Sequence, residues 1–191
     1  MRLFMVLAKI LLAILWLGWL IFWVLAARRT ATSQRMETLL TGASYRLPLV
    51  LGALLMAFPM PFPLLNSTLW TASPLLLGTG VALTAVGLTF AVWARVHLGI
   101  YWSGRITLKV DHRVIQSGPY ACVRHPIYSG MILALLGTTI TLGTVRACVG
   151  FVLMFISFVR KLQIEEVWLR SHFGAEYERY QKRVKALIPF P

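Results

Sequence analysis

Two polar segments contain most of the residues whose types could support chemistry. The first, residues 95–128, ends in a His-Pro-x-Tyr motif at 125–128, and the second, residues 160–185, contains the adjacent carboxylates Glu165 and Glu166. Histidines and carboxylates can exchange protons, and basic side chains can orient an anion. The residues between the two segments are almost wholly apolar. A shared function therefore requires a fold that brings the two segments together.

The residues around Pro126 predict the start of a helix, because proline is favoured in the first helical turn. The backbone N–H groups of Ile127 and Tyr128 would then lack helical partners and could bind a carboxylate. A second interpretation fits equally well. Arg124 beside His125 is typical of the positively charged end of a membrane span, and Tyr128 is typical of an interfacial anchor.

Glu165 lies one to two turns beyond the last apolar run and four residues after Lys161. This spacing is typical of a surface ion pair on a helix. It also allows both side chains to face the apolar segment that precedes them. The pattern alone leaves the structural and the functional interpretation open.

The composition indicates a membrane protein. The 191 residues are 58% hydrophobic and only 13% charged, whereas ordinary globular domains have about 25% charged residues. Apolar runs predict an all-α integral membrane protein with about five transmembrane helices and a C-terminal cytoplasmic helical segment. The runs are residues 3–27, 47–65, 73–94, 126–143 and 147–159. The last two are separated by residues 143–146 and predict a helical hairpin, which returns its ends to one side of the membrane.

The basic residues predict the orientation. The net charge of +13 is spread between the apolar runs, so it does not indicate nucleic-acid binding. Residues 28–46, 95–125 and 160–191 contain most of the basic side chains, and residues 59–73 contain no charge. The positive-inside rule therefore predicts an inner-membrane protein with its N-terminus outside and its C-terminus and active site in the cytoplasm. Residues 1–94 would provide three spans, and residues 95–191 the functional region.

A metal site is not favoured. The two cysteines are poorly placed to assist, and the histidine spacing matches no common ligand pattern. The histidines are His97, His112, His125 and His172.

The ordered motifs resemble the isoprenylcysteine carboxyl methyltransferase family, especially its short prokaryotic members. Three blocks carry the resemblance: residues 97–103, residues 112–130, and residues 165–189, which begin with the Glu-Glu pair. Each block is weakly specific alone, but their order and spacing follow the family. The resemblance covers about half of the chain and does not include the first two spans.

The resemblance implies a multispan enzyme that uses S-adenosylmethionine, without a metal, to methylate a lipophilic acceptor in contact with membrane lipids. The acceptor would be a prenylated protein, a small lipid, a fatty acid or a quinone-like molecule, most simply through a carboxylate. The implied cofactor-binding residues are His112, Gly118, His125, Pro126, Ile127, Tyr128, Leu133 and Glu165.

The resemblance also implies a substrate-side cation four residues before Glu165. The family commonly has arginine there, and this chain has Lys161, preceded by Arg160. Arginine can grip a carboxylate with two parallel bonds, whereas lysine acts as a point charge. Either Lys161 or Arg160 could be this cation. The third catalytic candidate is Glu166, as a base for an amine or hydroxyl acceptor.

Three alternatives remain open. A phospholipid N-methyltransferase would share the cofactor, and a sterol-type reductase would use NADPH. A non-enzymatic membrane subunit or transporter would place ionisable groups inside its spans, where Lys9 is the one candidate. The sequence does not indicate an oligomeric state.

Overall fold

The computed structural model describes residues 1–28, 33–109 and 113–189, and this part of the chain is predominantly helical. Its helices are α1 (Arg2–Ala27), α2 (Leu39–Ala57), α3 (Pro63–Asn66), α4 (Pro74–Leu98), α5 (Pro119–Cys122), α6 (Pro126–Leu142), α7 (Val145–Phe173) and α8 (Ala175–Arg183). A single 3-10 turn, Gly99–Tyr101, follows α4. Two short strands, β1 (Ser33–Met36) and β2 (Thr107–Lys109), pair antiparallel, with Met36 opposite Thr107.

Four helices are long and apolar enough to cross a membrane: α1, α2, α4 and α7. The fifth, α6, is apolar but has only 17 residues. A full crossing of about 30 Å needs about 20 helical residues, so α6 is slightly short for a perpendicular span. The predicted all-α integral membrane fold is confirmed, and the small β1–β2 sheet is an element that hydropathy did not predict.

The largest differences from the predicted boundaries are in α2 and α7. Helix α2 begins at Leu39 rather than residue 47, because Thr38 caps it and its hydroxyl accepts a hydrogen bond from the Thr41 N–H at 3.2 Å. Helix α7 continues beyond residue 159 to Phe173. The apolar run ended earlier because hydropathy indicates which residues suit lipid and does not show where a helix ends. The helix ends at a glycine C-cap, Gly174, whose φ of 52° suits glycine.

The helices pack in two closely fitted pairs, α4 with α6 and α2 with α7. In the first pair, a Cβ atom added to Gly87 would lie 2.5 Å from the carbonyl oxygen of Gly130. In the second, a Cβ on Gly52 would lie 2.6 Å from the carbonyl oxygen of Gly150. Small residues allow helix backbones to approach this closely in a membrane. The two helices of the α6–α7 hairpin therefore have different main partners, and a cavity lies between them.

Helix α1 packs against α4 and closes one side of this cavity. The buried Arg95 of α4 fixes the end of α1, because its guanidinium donates to the carbonyl oxygen of Ala26 at 2.7 Å and to that of Gly99 at 2.8 Å. The same guanidinium lies 4.4 Å from the ring of Trp102, in the segment that follows α4. One buried cation thus joins three elements that line the cavity.

Candidate functional site

The cavity has a volume of about 600 Å³, within the range typical of pockets for cofactors and drug-sized ligands. Its polar end lies where α6 begins and where α7 leaves the apolar region. The charged and polar lining there includes Arg105, Arg113, Arg124, His125, Tyr128, Lys161 and Glu165. Its apolar wall includes Trp16, Trp19, Trp23, Leu49, Val50, Ala53, Met131, Met154 and Phe158. A molecule with a polar head and an apolar body fits this distribution.

Glu165 is held at the polar end by Tyr128. The Tyr128 hydroxyl lies 2.8 Å from both carboxylate oxygens of Glu165 and can donate to either. The Nδ1 atom of His125 lies 3.8 Å from the same carboxylate, and its ring stacks on Tyr128 with centroids 5.5 Å apart. The hairpin thus brings together the His-Pro-x-Tyr motif and the first glutamate of the pair.

Glu166 has a different environment. Its Oε1 atom accepts hydrogen bonds from Arg124 Nε at 2.8 Å and Nη2 at 2.6 Å, and it lies 3.2 Å from His125 Nε2. Gln181 of α8 donates to its Oε2 atom at 3.0 Å. Glu166 is not among the residues that line the cavity. Its carboxylate therefore lies behind His125, holds that ring from the side opposite Glu165, and joins α7 to α8.

The segment after α8 fastens the start of α6. The backbone N–H groups of Arg124 and His125 donate to the carbonyl oxygens of Lys185 at 2.8 Å and Ala186 at 3.0 Å. The Ser129 hydroxyl donates to the Leu187 carbonyl oxygen at 2.6 Å. These contacts fix the backbone on both sides of Pro126, which is buried in the first turn of α6 as predicted.

Three buried tyrosines line the cavity beside this segment: Tyr120, Tyr177 and Tyr180. Tyr180 donates to the carbonyl oxygen of Tyr120 at 2.6 Å. Burial raises the pKa of Tyr180 to about 12 and raises the pKa values of Tyr120 and Tyr177 further. All three hydroxyls therefore stay protonated at neutral pH.

Lys161 lies at the boundary between the polar end and the apolar wall. Its Nζ atom donates to the carbonyl oxygen of Gly104 at 3.0 Å and lies 3.8 Å from a carboxylate oxygen of Glu165. It also lies 5.4 Å from the ring centroid of Tyr45 and 5.8 Å from that of Tyr128. Such positions over aromatic faces favour a cation.

The structure places the other candidates as follows. Arg160 is exposed and does not line the cavity, although it is next to Lys161 in sequence. Ile127 lines the cavity, whereas Leu133 of α6 is partly buried outside the lining. Gly118, with φ of 58°, lies under the ring of His97 rather than in the lining, and a Cβ there would be 2.7 Å from that ring. The predicted His112 lies outside the described residues.

Several lining residues of the apolar wall were not predicted from the sequence. The three tryptophans of α1 recur at residues 16, 19 and 23, a spacing that places them on one helix face. That spacing was the available signal. It is also ordinary for a membrane helix, so it could not by itself indicate a cavity.

The fold and the site define an all-α integral membrane protein with a cavity that is polar at one end and apolar along its length. The profile of the isoprenylcysteine carboxyl methyltransferase (ICMT) family matches residues 80–171, which include most of α4, all of α6, most of α7 and the residues from His125 to Glu166. Over these residues the chain is similar to this family.

Individual relatives show the same similarity. A probable protein-S-isoprenylcysteine O-methyltransferase of Oryza sativa subsp. indica is 38% identical over 87 residues, 45% of this chain and 46% of that protein. Protein-S-isoprenylcysteine O-methyltransferase B of Arabidopsis thaliana is 26% identical over 164 residues, 84% of this chain and 81% of that protein. Cobalt-zinc-cadmium resistance protein CzcN of Cupriavidus metallidurans is 32% identical over 121 residues, which are 61% of this chain and 50% of that protein. The chain thus spans about half the length of the rice relative.

Proposed function

We propose that the protein is an integral membrane methyltransferase that transfers the methyl group of S-adenosylmethionine to a carboxylate of a lipophilic acceptor. The observation that carries this proposal is the cluster of Tyr128, Glu165, His125 and Lys161 at the polar end of an otherwise apolar cavity. The names of the plant relatives, both O-methyltransferases, support the reaction type.

The cavity-lining residues fit such a cofactor. When bound, S-adenosylmethionine supplies a methyl group already activated on a sulfonium, so the protein needs mainly to position the reactants. Glu165, oriented by Tyr128, would hold a cationic or hydroxyl group of the cofactor. The Tyr177 hydroxyl and the His125 ring would lie near it, whereas the Tyr180 hydroxyl already donates to Tyr120. Ile127 lines the pocket at the start of α6, and Pro126, Gly118 and Leu133, outside the lining, would support the pocket rather than contact the cofactor.

Lys161 is well placed to bind the carboxylate of the acceptor. A carboxylate acceptor needs no general base, and a cation beside it would orient it toward the methyl group. The acceptor loses its negative charge as the ester forms, so a single point charge releases the product more easily than a bidentate grip. We assign this role to Lys161 rather than Arg160, because Lys161 lines the cavity.

Glu166 serves best as a positioning residue. Its two oxygens are occupied by Arg124, His125 and Gln181, so it is poorly placed to accept a proton from a substrate. It would hold His125 against Tyr128 and Glu165. The positive-inside rule, applied to the basic residues of the polar segments, supports a topology with this end of the bundle at the cytoplasmic face of an inner membrane and the N-terminus outside. The acceptor would then enter from the bilayer and the cofactor from the cytoplasm.

Ligand binding by the purified protein in detergent tests the proposal. Calorimetry with S-adenosylhomocysteine should show binding by the wild-type protein and by Arg160→Ala, and strongly weakened binding by His125→Ala and Glu165→Ala. Wild-type affinity in both cavity variants would contradict the proposed pocket. Binding of NADPH instead would favour the reductase alternative.

The acceptor is found by incubating the protein with labelled S-adenosylmethionine and a membrane lipid extract, followed by mass analysis of the labelled products. A methyl ester of a lipid acid is the expected product. A labelled amine headgroup would identify an N-methyltransferase, and the absence of any transfer would support a non-enzymatic role.

A further inference from the structure

The ammonium of Lys161 is held inside the protein, although a lysine near the end of a membrane helix usually extends toward water. Its side chain is only 14% exposed. Lysine has a flexible four-carbon stem, so its ammonium stays in one place only where contacts restrain it. Besides the Glu165 carboxylate, three groups surround it: the Gly104 carbonyl oxygen, the ring of Tyr128 and the ring of Tyr45. The last of these belongs to α2.

Tyr45 lies on the face of α2 that is turned toward the cavity. Leu49 and Ala53, one and two turns further along α2, line the apolar wall, and residues four apart share a helix face. Tyr45 is buried and lies behind Lys161 rather than in the cavity lining. The Lys161 Nζ atom lies 5.4 Å from the ring centroid of Tyr45 and 5.8 Å from that of Tyr128. The two rings therefore flank the ammonium where the apolar wall meets the polar end.

The ring of Tyr45 is itself firmly fixed. Its backbone carbonyl oxygen accepts a hydrogen bond at 2.6 Å from the hydroxyl of Ser157, which lies one turn before Lys161 on α7. Its own hydroxyl donates at 2.6 Å to the carboxylate of Glu37, whose side chain is only 1% exposed and pairs with Arg46. A ring held at both ends, and in register with α7, can restrain a flexible side chain beside it.

We infer that Tyr45 is a positioning residue, which with Tyr128 holds the Lys161 ammonium at the depth where the carboxylate of the acceptor binds. Without the Tyr45 ring, the lysine would extend toward the aqueous surface and away from that carboxylate. The inference rests on the proposed function, in which Lys161 orients the acceptor. Tyr45 lies outside residues 80–171, so the region similar to the family does not include it.

The reactivity of Lys161 toward a water-soluble acylating reagent measures how firmly its ammonium is held. The protein is labelled in nanodiscs, and peptide mass spectrometry gives the rate at Lys161 relative to that at the exposed Lys182 of α8. The relative rate should rise about twofold to fivefold in Tyr45→Leu and stay near the wild-type value in Tyr45→Phe, which keeps the ring. Phe90→Leu removes a ring of α4 outside the cavity lining, so this matched control should not change the rate.

The consequence for the acceptor is measured with octadecanoic acid and octadecan-1-ol, which share a chain and differ in charge. Their dissociation constants are determined with S-adenosylhomocysteine present, at a pH at which the acid is ionised. Tyr45→Leu should weaken binding of the acid about twofold to fivefold and leave that of the alcohol unchanged. In a Lys161→Met background, Tyr45→Leu should have no further effect, because the cation that it holds is gone.

Three outcomes would overturn the inference: unchanged labelling of Lys161 in Tyr45→Leu, the same increase in Tyr45→Phe, or equal weakening of the acid and the alcohol. Nuclear magnetic resonance of the wild-type protein with ¹³C-methylated lysines needs no variant of Tyr45. The Lys161 methyl signal, assigned by its loss in Lys161→Met, should lie upfield of the signals of exposed lysines, because two rings flank it. An unshifted signal would also contradict the inference. The proposed function fails separately, if the wild-type protein neither binds S-adenosylhomocysteine nor transfers a methyl group.

Discussion

The Tyr128 hydroxyl lies 2.8 Å from both carboxylate oxygens of Glu165, and this contact joins the first turn of α6 to α7 across the cavity. Arg124 and His125, just before α6, also bind Glu166 of α7, but within the described part of the chain Tyr128 is the residue that hydrogen-bonds to the Glu165 carboxylate. The position of the Glu165 carboxylate therefore depends on the tyrosine. A change in Tyr128 should act on ligand binding through Glu165.

Replacing Tyr128 with phenylalanine removes this donor and keeps the ring. Because hydrogen bonds to charged groups contribute about 1.5–3 kcal/mol, we expect S-adenosylhomocysteine to bind about tenfold more weakly to Tyr128→Phe. Calorimetry in detergent measures this. In a double-mutant cycle with Glu165→Gln, the two losses should be strongly non-additive, since both changes disrupt one interaction. Additive losses would show that Tyr128 contacts the cofactor independently of Glu165.

Glu166 should matter for stability more than for ligand contact. Its partner Arg124 has only 10% of its side chain exposed, so Glu166→Gln leaves a largely buried cation without its counter-charge. Breaking a buried pair in this way costs about 3 kcal/mol. We expect a clearly lower thermal unfolding midpoint for Glu166→Gln in detergent. Glu165→Gln is the matched control and should change the midpoint much less while weakening S-adenosylhomocysteine binding. The reverse pattern would exchange the roles assigned to the two carboxylates.

The sequence predicted those features of the fold that hydropathy and helix-end signals determine. Apolar runs predicted the spans, and Pro126 marked the start of α6. The extension of α7 beyond residue 159 was not predicted, because helicity continues into the polar segment and hydropathy does not report it. The pairing of α4 with α6 depends on Gly87 and Gly130, and many membrane helices contain similar glycines. Their partners therefore could not be identified from one sequence.

Part of the candidate site could be predicted from the order of the segments along the chain. Because a helical hairpin separates the two polar segments, His125 was expected to lie near Glu165. The distinct positions of Glu165 and Glu166 depend on Arg124, in the segment before α6, and on Gln181 of α8, and these tertiary contacts leave no local signal. Trp19 was missed because an aromatic residue on an apolar helix face is ordinary in a membrane span.

Lys161 and Arg160 can be separated by their effects on the acceptor. Lys161→Met removes the cation that lines the cavity, so we expect the KM for a lipid-acid acceptor to rise about tenfold, as expected for one charge-assisted hydrogen bond. S-adenosylhomocysteine affinity should stay within about twofold, because Lys161 lies nearer the acceptor's proposed position. Arg160→Met is the control and should leave both values unchanged. A raised KM in Arg160→Met alone would assign the substrate-side role to Arg160.

The close approach of α4 and α6 predicts a contrast between two glycines on the same helix. A Cβ added to Gly87 would lie 2.5 Å from the Ala134 nitrogen and from the Gly130 carbonyl oxygen, so the backbones must separate to accept it. Overpacking of this kind costs about 1–3 kcal/mol, and we expect Gly87→Ala to lower the thermal unfolding midpoint in detergent.

Gly78, on the same helix, has no atom within 4 Å of an added Cβ. Gly78→Ala should therefore be neutral or stabilising by up to about 1 kcal/mol, because alanine is the better helix former. Since α6 carries Tyr128, separation of α4 and α6 should also weaken S-adenosylhomocysteine binding in Gly87→Ala. Equal unfolding midpoints for the two variants would show that the backbones of α4 and α6 are not in direct contact, and the cavity would then need a different wall.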